Sequence, residues 1–484
     1  MSIPFIPNEK HLSINLSDGF SITVPNDITE ISTFTFLEQE TWFETDKSIL
    51  AKLLPDNFKA IDIGANYGFY SLFMANLQKE NSQILSIEPC KSTMDCLKDS
   101  ISTNSFTNIT PVQIGLSDSK TDAYLSIQES SELNEVTYEK QKDGEFETIQ
   151  LDTLDNIYKM HNFNGCHFIK LDAEGHEKQV LNGAHHFFSK ETPIVMLEIK
   201  HSDKINLSLL KSLEQLGYSI FQLDSPLNRL RPFQQNISDP LLLNVFAIPN
   251  IMIESLKQRN LILEDIPMKL LSNDYLSKFF TENDCYQQLG FSLEVLEHTK
   301  RVSSNYWDSI NYFLASKDVR LDSNDRHMYL KQSYESLRQI AINNPQVPAT
   351  LSLIRVSIEI RDITLAMELA NYLLQEIINN QTLEVNSFFL ALDEKYENAR
   401  TLSPKWLEEQ LIYIQEVYGN YSSIFDGDSS FARTSKLIHF KNYNPLILRK
   451  NILCNLGDKS EFIQKLSNNS EHHLNANIWK EVPH

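Results

Sequence analysis

The sequence predicts an α/β domain with a mostly parallel sheet, followed by an all-α domain. Between residues 59 and 248, short apolar runs alternate with amphipathic segments, which is typical of parallel strands connected by helices. After Pro249 the apolar runs end, and long amphipathic segments follow one another. We therefore predict two domains, residues 1–249 and residues 250–484. The helix pairs of the second domain predict either a superhelical, repeat-like domain or a helix bundle, and they show no repeat consensus at a fixed period.

The α/β domain is predicted to begin with a β-hairpin over residues 11–24, because apolar and polar residues alternate on both sides of an Asp-Gly turn. Its last two strands have no helix between them, so we expect an antiparallel pair at the edge of the sheet. Residues 121–150 predict an irregular β insertion. The core strands are predicted at 59–63, 83–87, 110–115, 166–171, 193–199, 217–223 and 242–248, with helices at 46–54, 67–79, 91–104, 176–188 and 205–216.

In the second domain, apolar residues recur at helical spacing. One predicted helix face is aromatic, with Trp406, Tyr413, Tyr418 and Tyr421. Such rings more often fill a core, but they also offer flat surfaces for binding. We expect this domain to bind an acceptor, a protein partner or a second copy of the chain. Its helices are predicted at 251–264, 326–343, 349–361, 363–380, 404–419 and 444–456.

The most informative stretch is the turn after the first core strand. An apolar strand ends in a turn with two glycines, Gly64 and Gly68, and a helix follows at once. Because glycine has no Cβ, the backbone can approach a ligand there, beside the free amides of the helix. The turn lacks the third glycine of a dinucleotide fingerprint. We therefore expect S-adenosylmethionine, which has no pyrophosphate, as the cofactor.

A second landmark lies at the end of the next strand, where Glu88 precedes Pro89. An acidic side chain at this strand tip, about 20 residues past the glycine turn, can accept hydrogen bonds from both hydroxyls of a ribose. An ordinary polar turn explains Glu88 equally well when it is considered alone. In combination with the glycine turn, cofactor binding is the favoured interpretation.

A third landmark is a cluster of ionisable residues, Asp172, Glu174, His176 and Glu177, directly after a buried strand. The carboxyl ends of parallel strands meet at one edge of the sheet, so this cluster should lie near the glycine turn. One carboxylate is enough to cap the next helix, and the cluster holds more. Glu198, at the tip of the neighbouring strand, could orient an acceptor or share a cation with Asp172. Two carboxylates are weak grounds for a metal, and we assign none.

Six stretches of the α/β domain carry motifs of one known family: 62–68, 87–89, 115–118, 151–155, 169–184 and 196–199. With them, residues 40–250 resemble the FkbM family of S-adenosylmethionine-dependent methyltransferases. The sequence Lys-Leu-Asp-Ala-Glu-Gly-His-Glu over 170–177 is the specific motif, since the glycine turn fits any class I methyltransferase. The resemblance implies a class I, Rossmann-like fold. It also implies methylation of a hydroxyl, commonly on a sugar or a polyketide.

The resemblance implies roles for individual residues and does not extend to 250–484. A hydroxyl is a poor nucleophile until it loses its proton, so a base is required, and Asp172, Glu174 and His176 are equal candidates. His176 departs from the family, which has a small or aromatic residue there. We expect a sugar or glycan acceptor, as in bacterial surface polysaccharide or glycoconjugate synthesis. The expected catalytic residues are Asp172, Glu174, His176 and Glu198, and the expected cofactor-binding residues are Asp62, Gly64, Ala65, Asn66, Gly68, Glu88, Ser117 and Asp118.

Composition narrows the class of partner. The formal net charge is −21, which disfavours nucleic acid as a ligand. We find no apolar run long enough for a membrane span and no secretory signal at Met1. None of the five cysteines belongs to a Cys-x-x-Cys pair. We therefore expect a reduced, cytoplasmic protein.

Two other functions compete with methyl transfer. An NAD-linked oxidoreductase can use the same scaffold, but the missing third glycine and the acidic cluster count against it. A non-catalytic interaction protein would keep the methyltransferase fold as a relic and bind its partner through the helices. Intact Gly64, Gly68 and Glu88 count against a relic.

Overall fold

The chain of 484 residues divides into two compact units. The first unit comprises Met1–Phe233, Leu243–Leu261 and Leu448–His484, and the second comprises Gln234–Leu242 and Ile262–Ile447. Parts of the predicted β insertion (141–143) and of three predicted helices (206, 404 and 456) lie outside the described residues. The computed structural model describes residues 3–79, 81–140, 144–201, 204–205, 207–234, 239–271, 274–282, 294, 296, 300, 303–343, 346–380, 383, 385, 387–397, 405–440, 444–455, 460–468 and 473–482.

The first unit contains all sixteen strands of the described chain. They are β1 (His11–Asn15), β2 (Ser21–Pro25), β3 (Lys59–Ile63), β4 (Gln83–Ile87), β5 (Ile109–Val112), β6 (Gly115–Leu116), β7 (Thr121–Ile127), β8 (Glu135–Thr137), β9 (Glu145–Asp152), β10 (Phe168–Leu171), β11 (Ile194–Glu198), β12 (Lys200–His201), β13 (Lys204–Ile205), β14 (Tyr218–Asp224), β15 (Arg229–Pro232) and β16 (Asn244–Pro249).

Helices occur in both units. They are α1 (Ile31–Gln39), α2 (Leu50–Leu53), α3 (Phe69–Asn76), α4 (Lys91–Thr103), α5 (Leu154–Met160), α6 (Glu177–Asn182), α7 (His185–Lys190), α8 (Leu207–Gln215), α9 (Asn250–Gln258), α10 (Tyr275–Glu282), α11 (Ser304–Ser316), α12 (Ser323–Asn343), α13 (Val347–Ile360), α14 (Ile363–Asn380), α15 (Glu394–Glu397), α16 (Trp406–Tyr418), α17 (Gly427–His439), α18 (Pro445–Cys454), α19 (Ser460–Asn468) and α20 (Ala476–Lys480). Single 3₁₀ turns lie at Asp46–Ile49, Ser131–Leu133 and Ser423–Phe425.

The main sheet has eight strands in the order β15-β14-β16-β11-β10-β3-β4-β5. The five strands from β11 to β5 are parallel, and β16 lies antiparallel between β11 and β14. This is the sheet of a class I methyltransferase, so the predicted fold class is confirmed. Because β3, β4, β10 and β11 run in the same direction, the turns after them open at one edge of the sheet.

The predicted antiparallel pair is present but does not form the edge. The pair is β14 and β16, and β16 is an inner strand, whereas the edge is the short strand β15. With two arginines and a proline in four residues, β15 resembles a loop in the sequence. Only its hydrogen bonds to β14 make it a strand, and a proline is tolerated at an edge. The helix predicted at 176–188 is also divided, into α6 and α7, at Gly183.

The β insertion is more regular than predicted. It forms a four-stranded sheet in the order β6-β9-β7-β8, in which β7 and β9 pair antiparallel from Thr121 opposite Leu151 to Ile127 opposite Glu145. Ala123, Leu125 and Ile149 face inward and pack with Cys90 before α4. The insertion is therefore fixed to the edge of the main sheet where the cofactor residues were predicted.

The last residues of the chain belong to the first unit, which the predicted boundary at Pro249 did not anticipate. Trp479 is fully buried, and its ring lies 4.9 Å from that of Phe5 in an edge-to-face contact. Nearby, Arg449 and Lys450 form buried ion pairs with Glu40 and Glu38 at the end of α1. The chain of the helical unit consequently lies between two parts of the chain of the first unit.

The second unit is helical, as predicted. Each of α11 to α13 packs on the next helix, α14 packs on α16, and α16 packs on α17. Trp406 and Tyr413 of the predicted aromatic face are buried in its core. The sequence missed α10, α11 and α17, whose serine, asparagine and aromatic residues have modest helix propensity. In the described ranges, no helix combines the length and apolar character that a bilayer crossing requires.

A chain that ends at residue 447 is expected to lose stability in the methyltransferase unit. Without Arg449 and Lys450, the buried carboxylates of Glu38 and Glu40 lose these partners, and breaking a buried ion pair costs about 3–5 kcal/mol. Thermal unfolding of the shortened and full-length chains measures the effect. An unchanged melting temperature would show that the last segment is dispensable for folding.

Candidate active site

The pairing of β3 with β10 brings the predicted site residues together. Asp62 of β3 lies directly opposite Lys170 of β10, so the turns that follow these strands start side by side. They border a cavity of about 1040 Å³, part of which is open to solvent. The cavity wall also includes the end of β4, the β insertion and the segment before β3.

The glycine turn forms as predicted, but Gly64 is required for a different reason. Its φ is +74°, and a Cβ placed on it would lie 1.6 Å from the carbonyl oxygen of Asp172. At Gly68, where φ is +91°, a Cβ would lie 2.2 Å from a methyl carbon of Leu97. The space that a side chain would need is therefore filled by the protein. Both glycines are therefore required by packing, and their role in binding the cofactor stays a prediction.

Glu88 lies at the cavity wall as predicted, and its carboxylate fixes the glycine turn. One oxygen accepts the amide of Asn66 at 3.0 Å, and the other accepts the amide of Cys90 at 2.9 Å. Burial raises the pKa of Glu88 to about 7, against the lowering effect of these two bonds. Each carboxylate oxygen can accept a further hydrogen bond, so hydroxyl donors in the cavity could still bind.

Asp62 contributes an acceptor atom that the described residues do not satisfy. The side chain is 1% exposed, and its Oδ2 accepts the hydroxyl of Ser71 at 2.6 Å. Its Oδ1 has no hydrogen-bond partner among the described residues, and Asp62 lines the cavity. Burial raises its pKa, while the Lys170 ammonium opposes this shift. A buried carboxylate oxygen of this kind fits an ammonium donor such as that of S-adenosylmethionine.

The other predicted cofactor residues separate into two groups. Ala65 and Asn66 line the cavity, and the Asn66 side chain accepts the hydroxyl of Ser131 at 3.0 Å. Ser117 is fully buried behind the wall, where its Oγ lies 3.0 Å from Nε2 of His176. Asp118 is exposed and also lies away from the cavity wall. The structure therefore does not bring these last two side chains to the cavity.

The turn after β10 is held by Glu177, which leaves Asp172 and Glu174 for another role. One Glu177 oxygen accepts the amides of Ala173 at 3.1 Å and Gly175 at 3.0 Å. Glu174 has a φ of +47°, a conformation that is strained for a residue with a side chain. His176 precedes α6 without capping it, and burial lowers its pKa. Helix capping therefore does not explain the acidic cluster.

Asp172, Glu174 and Glu198 form one group, with a carboxylate oxygen from each within 4.8 Å of the others. Burial and the charge of Asp172 raise the pKa of Glu174 to about 9 and that of Glu198 to about 11. Burial also opposes ionisation of the partly buried Asp172, but its pKa falls because the Lys170 ammonium lies 2.5 Å from its Oδ2. The charge of Lys170 thus favours the ionised form of Asp172, and the charge of Asp172 favours the protonated forms of Glu174 and Glu198. Three such oxygens could ligate a divalent cation.

Sequence reasoning missed several residues around this group. Lys170 lies in a buried strand, and its ammonium is 5.0 Å from the ring centre of Tyr70. The Tyr70 hydroxyl donates to Glu44 at 2.5 Å, and the Asn244 amide donates to the same oxygen at 2.8 Å. Trp42 and Glu44 come from a segment without regular structure, so no periodic pattern marked them. The charge of Lys170 within an apolar run was the signal available in the sequence.

The β insertion supplies another part of the wall. Ser131, Glu132 and Val136 line the cavity, and the Ser131 amide donates to a Glu30 oxygen at 3.0 Å. Burial raises the pKa of Glu30 to about 7. The insertion is therefore tied to the N-terminal end of α1 across the cavity.

Comparison with known families agrees with this geometry. Residues 62–220 match the family described as the Methyltransferase FkbM domain. The matched residues begin near the end of β3 and include β4, β10 and β11. The chain is thus similar to FkbM methyltransferases over these residues. No curated protein matches the chain.

Solved structures with low similarity include other methyltransferases. The FkbM methyltransferase of Methylobacillus flagellatus KT is 18% identical, with a TM-score of 0.28, over 40% of this chain and 44% of that chain. A putative methyltransferase from Streptococcus mutans, solved in complex with SAH, is 9% identical over 42% of this chain and 93% of that chain, with a TM-score of 0.26. The precorrin-6y C5,15-methyltransferase of Geobacter metallireducens is 13% identical over 42% of this chain and 87% of that chain, with a TM-score of 0.25. This chain thus spans less than half the length of the M. flagellatus protein.

Replacement of Gly64 by alanine is expected to destabilise the fold strongly, because the new methyl group would overlap the backbone of Asp172. Gly217→Ala is the matched control, since Gly217 also has a positive φ (+88°) but no atom within 4 Å of the new carbon. Chemical denaturation should show a loss near 1 kcal/mol for the control, of the order expected for strained backbone, and a larger loss for Gly64→Ala. Equal losses would contradict the steric explanation.

Proposed function

We propose that the protein is an S-adenosylmethionine-dependent O-methyltransferase that acts on a hydroxyl of a sugar or glycan. The observation that carries this proposal is the Lys170 ammonium 2.5 Å from Asp172, which borders the same cavity as Asp62 and Glu88. The charge of Lys170 favours the ionised form of Asp172. A base at the cofactor cavity is what methylation of a hydroxyl needs.

The cofactor side of the cavity fits S-adenosylmethionine. Glu88 would accept hydrogen bonds from the ribose hydroxyls, and Oδ1 of Asp62 would accept the ammonium of the methionine part. When bound, the cofactor supplies a methyl group that is already activated by a sulfonium. The protein therefore needs mainly to place an acceptor oxygen in line with that methyl and to remove its proton.

Asp172 is the best candidate for the base. Lys170 keeps it ionised, whereas Glu174 and Glu198 hold protons at neutral pH. A hydroxyl that donates to Asp172 would transfer its proton there as the new carbon–oxygen bond forms. Glu174 and Glu198 would then act as hydrogen-bond donors that orient the acceptor.

The acceptor side suits a polyol better than an anion. Trp42 offers a flat ring, and Glu44 adds a carboxylate to those of the acidic group. Several carboxyl groups together can accept or donate bonds to many hydroxyls, but they repel phosphate and carboxylate groups. We extend this to a sugar or glycan acceptor in surface polysaccharide or glycoconjugate synthesis. The helical unit, residues 262–447, would bind the acceptor, a partner or a second copy.

A cytoplasmic location fits the thiols of Cys90, Cys96 and Cys166, which form no disulfide with any other described residue. Nucleic acid remains an unsuitable partner because of the net charge of −21.

Incubation with labelled S-adenosylmethionine and fractionated glycans, lipids and proteins tests the proposed function. Label transferred to a base-stable ether on the glycan fraction supports it. Calorimetry with S-adenosylmethionine and NADH tests the cofactor separately. Binding of NADH alone would favour the oxidoreductase, and binding of neither would favour a non-catalytic protein.

Asp172→Asn is expected to reduce turnover by about 10²–10⁴-fold, because the amide cannot accept the acceptor's proton. Affinity for S-adenosylhomocysteine should remain nearly unchanged, since Glu88 and Asp62 are intact. Turnover and calorimetry on the same preparation separate these effects. Glu174→Gln should reduce turnover less, because an amide still donates a hydrogen bond.

Glu177→Gln serves as the control for a purely structural carboxylate. It should lower the melting temperature through weaker bonds to Ala173 and Gly175, with turnover preserved in the folded fraction. A chelator added to the wild-type protein tests the cation. Full activity in its presence would exclude a required divalent ion, and equal turnover for Asp172→Asn and wild type would refute the assigned base.

Affinity for S-adenosylhomocysteine should increase as the pH rises through 7. The pKa of Glu88 is raised from 4.5 to about 7, so the stronger, charged acceptor forms only above that pH. Folding stability should change in the opposite direction, because the folded protein holds this proton between pH 4.5 and 7 while the unfolded chain has lost it. Calorimetry from pH 6 to 8 measures the affinity, and Glu88→Gln should remove the pH dependence.

A further inference from the structure

We propose that Arg449 and His473, far along the chain from the methyltransferase domain, are positioning residues for the acceptor side of the cavity. They act on the acceptor wall, defined here as Trp42 and Glu44, both of which line the cavity. The name of this wall rests on the proposed function. Its dependence on Arg449 and His473 rests on the contacts alone.

The acceptor wall follows directly from a sharp turn at Glu40. Glu40 ends α1 in the left-handed conformation, with a φ of +58°. Its amide donates to the carbonyl of Phe36 at 3.1 Å, and its carbonyl accepts the amide of Ser17 at 2.7 Å. The backbone angles at this residue set the direction in which the chain continues to Trp42. Any side-chain contact that fixes Glu40 therefore fixes the start of the wall.

The Glu40 carboxylate is surrounded by donors from the last segment of the first unit. Arg449 approaches one oxygen at 3.2 Å, and Nδ1 of His473 lies 2.8 Å from the other. The amide of Leu474 donates to that second oxygen at 2.8 Å, and the Asn475 side chain does so at 3.2 Å. The pKa of Glu40 is lowered: burial opposes ionisation, but His473 and Arg449 outweigh it.

The same segment also completes the end of α1. The last turn of α1 has no basic residue of its own. Arg449 donates from Nε to the carbonyl of Glu38 at 2.5 Å, and the Lys450 ammonium lies 3.7 Å from the Glu38 carboxylate. Cations at a helix C-terminus stabilise the free carbonyls there. Arg449 thus bonds both the last turn of α1 and the residue that ends it.

The acceptor wall, in turn, contacts residues that begin α3 at the cavity. The Trp42 ring lies 5.4 Å from that of Phe36 and 6.4 Å from that of Phe69. Glu44 accepts the hydroxyl of Tyr70. A rotation at Glu40 would therefore move an aromatic ring and a carboxylate relative to the start of α3. No cavity-lining atom belongs to Arg449 or His473, so their effect on the cavity would be indirect.

A buried ion pair often adds no more to the free energy of unfolding than an apolar contact would. Arg449, His473 and Glu40 are each at least nine-tenths buried, and an apolar contact of equal volume is often as stable as a buried ion pair. Charged hydrogen bonds, however, fix angles and distances that apolar contacts leave free. The cluster therefore serves the orientation of the turn at Glu40.

The test uses the full-length protein labelled with 5-fluorotryptophan. The sequence contains four tryptophans, and Trp42→Phe assigns the fluorine resonance of the acceptor wall. Arg449→Met removes the guanidinium from Glu40. Arg433→Met is the matched control, because Arg433 is a half-buried arginine bonded to Glu416 at 2.9 Å within the helical unit.

In Arg449→Met, the Trp42 resonance should shift by more than its linewidth, while Trp307 and Trp406 of the helical unit stay unchanged. Arg433→Met should lower the melting temperature without moving Trp42. His473→Gln is the milder second variant in case Arg449→Met does not fold, and it should shift Trp42 in the same direction by less.

An unmoved Trp42 resonance in a folded Arg449 or His473 variant would overturn the inference, as would an equal shift in Arg433→Met. The resonance is read without any ligand, so this result is independent of the proposed function. That function fails separately, if calorimetry detects no S-adenosylhomocysteine binding to the wild-type protein.

Discussion

The close approach of the Asp172 carbonyl to Gly64 determines most of what this protein can do. Two neighbouring parallel strands, β3 and β10, end in turns that touch at this point, and no side chain would fit between them. The contact places the residues around the glycine turn beside the acidic residues of the β10 turn. A cofactor and a base can therefore share one cavity without any further element between them. The strained φ of Glu174 belongs to the same turn, which is consistent with backbone geometry fixed for a site.

A single buried ammonium organises the charges at that contact. Lys170 is bonded to Asp172, lies over Tyr70, and also opposes the rise in the pKa of Asp62. Without a positive charge, several buried acids would all favour their protonated forms. With it, the pKa of Asp172 is lowered while those of Glu174 and Glu198 are raised, so neighbouring groups of the same chemistry differ in their affinity for a proton. The position of each acid relative to Lys170 decides which one ionises most readily. Asp172 is the closest in sequence, because it follows Lys170 by two residues at the end of β10.

The sequence predicted those parts of the fold and site that depend on local pattern. The parallel strands, the hairpin, the glycine turn and the position of Glu88 follow from periodicity and turn chemistry. Long-range contacts were invisible to the same reasoning. The strand β15 exists only through its partner β14, and Gly64 has its true neighbour more than a hundred residues away. Trp42 and Glu44 lie in a segment whose sequence has no periodic pattern. The predicted boundary at Pro249 did not include Leu448–His484 in the first unit, because the ion pairs that this segment forms with Glu38 and Glu40 leave no local signal in the sequence.

The chain of the helical unit lies between two parts of the chain of the first unit, and this order has a consequence for how the protein is made. His473 and Glu40, which touch in the folded protein, are separated by 433 positions in the chain. At the usual rate of synthesis, a ribosome needs roughly 20–90 s to cover that distance. Throughout this interval, the emerging N-terminal half contains a turn whose acidic side chain lacks its basic neighbours, while the helices can already fold on local contacts. The first unit, which is completed only by Leu448–His484, is thus the later of the two to mature, and its nascent form is the one that would need protection from aggregation.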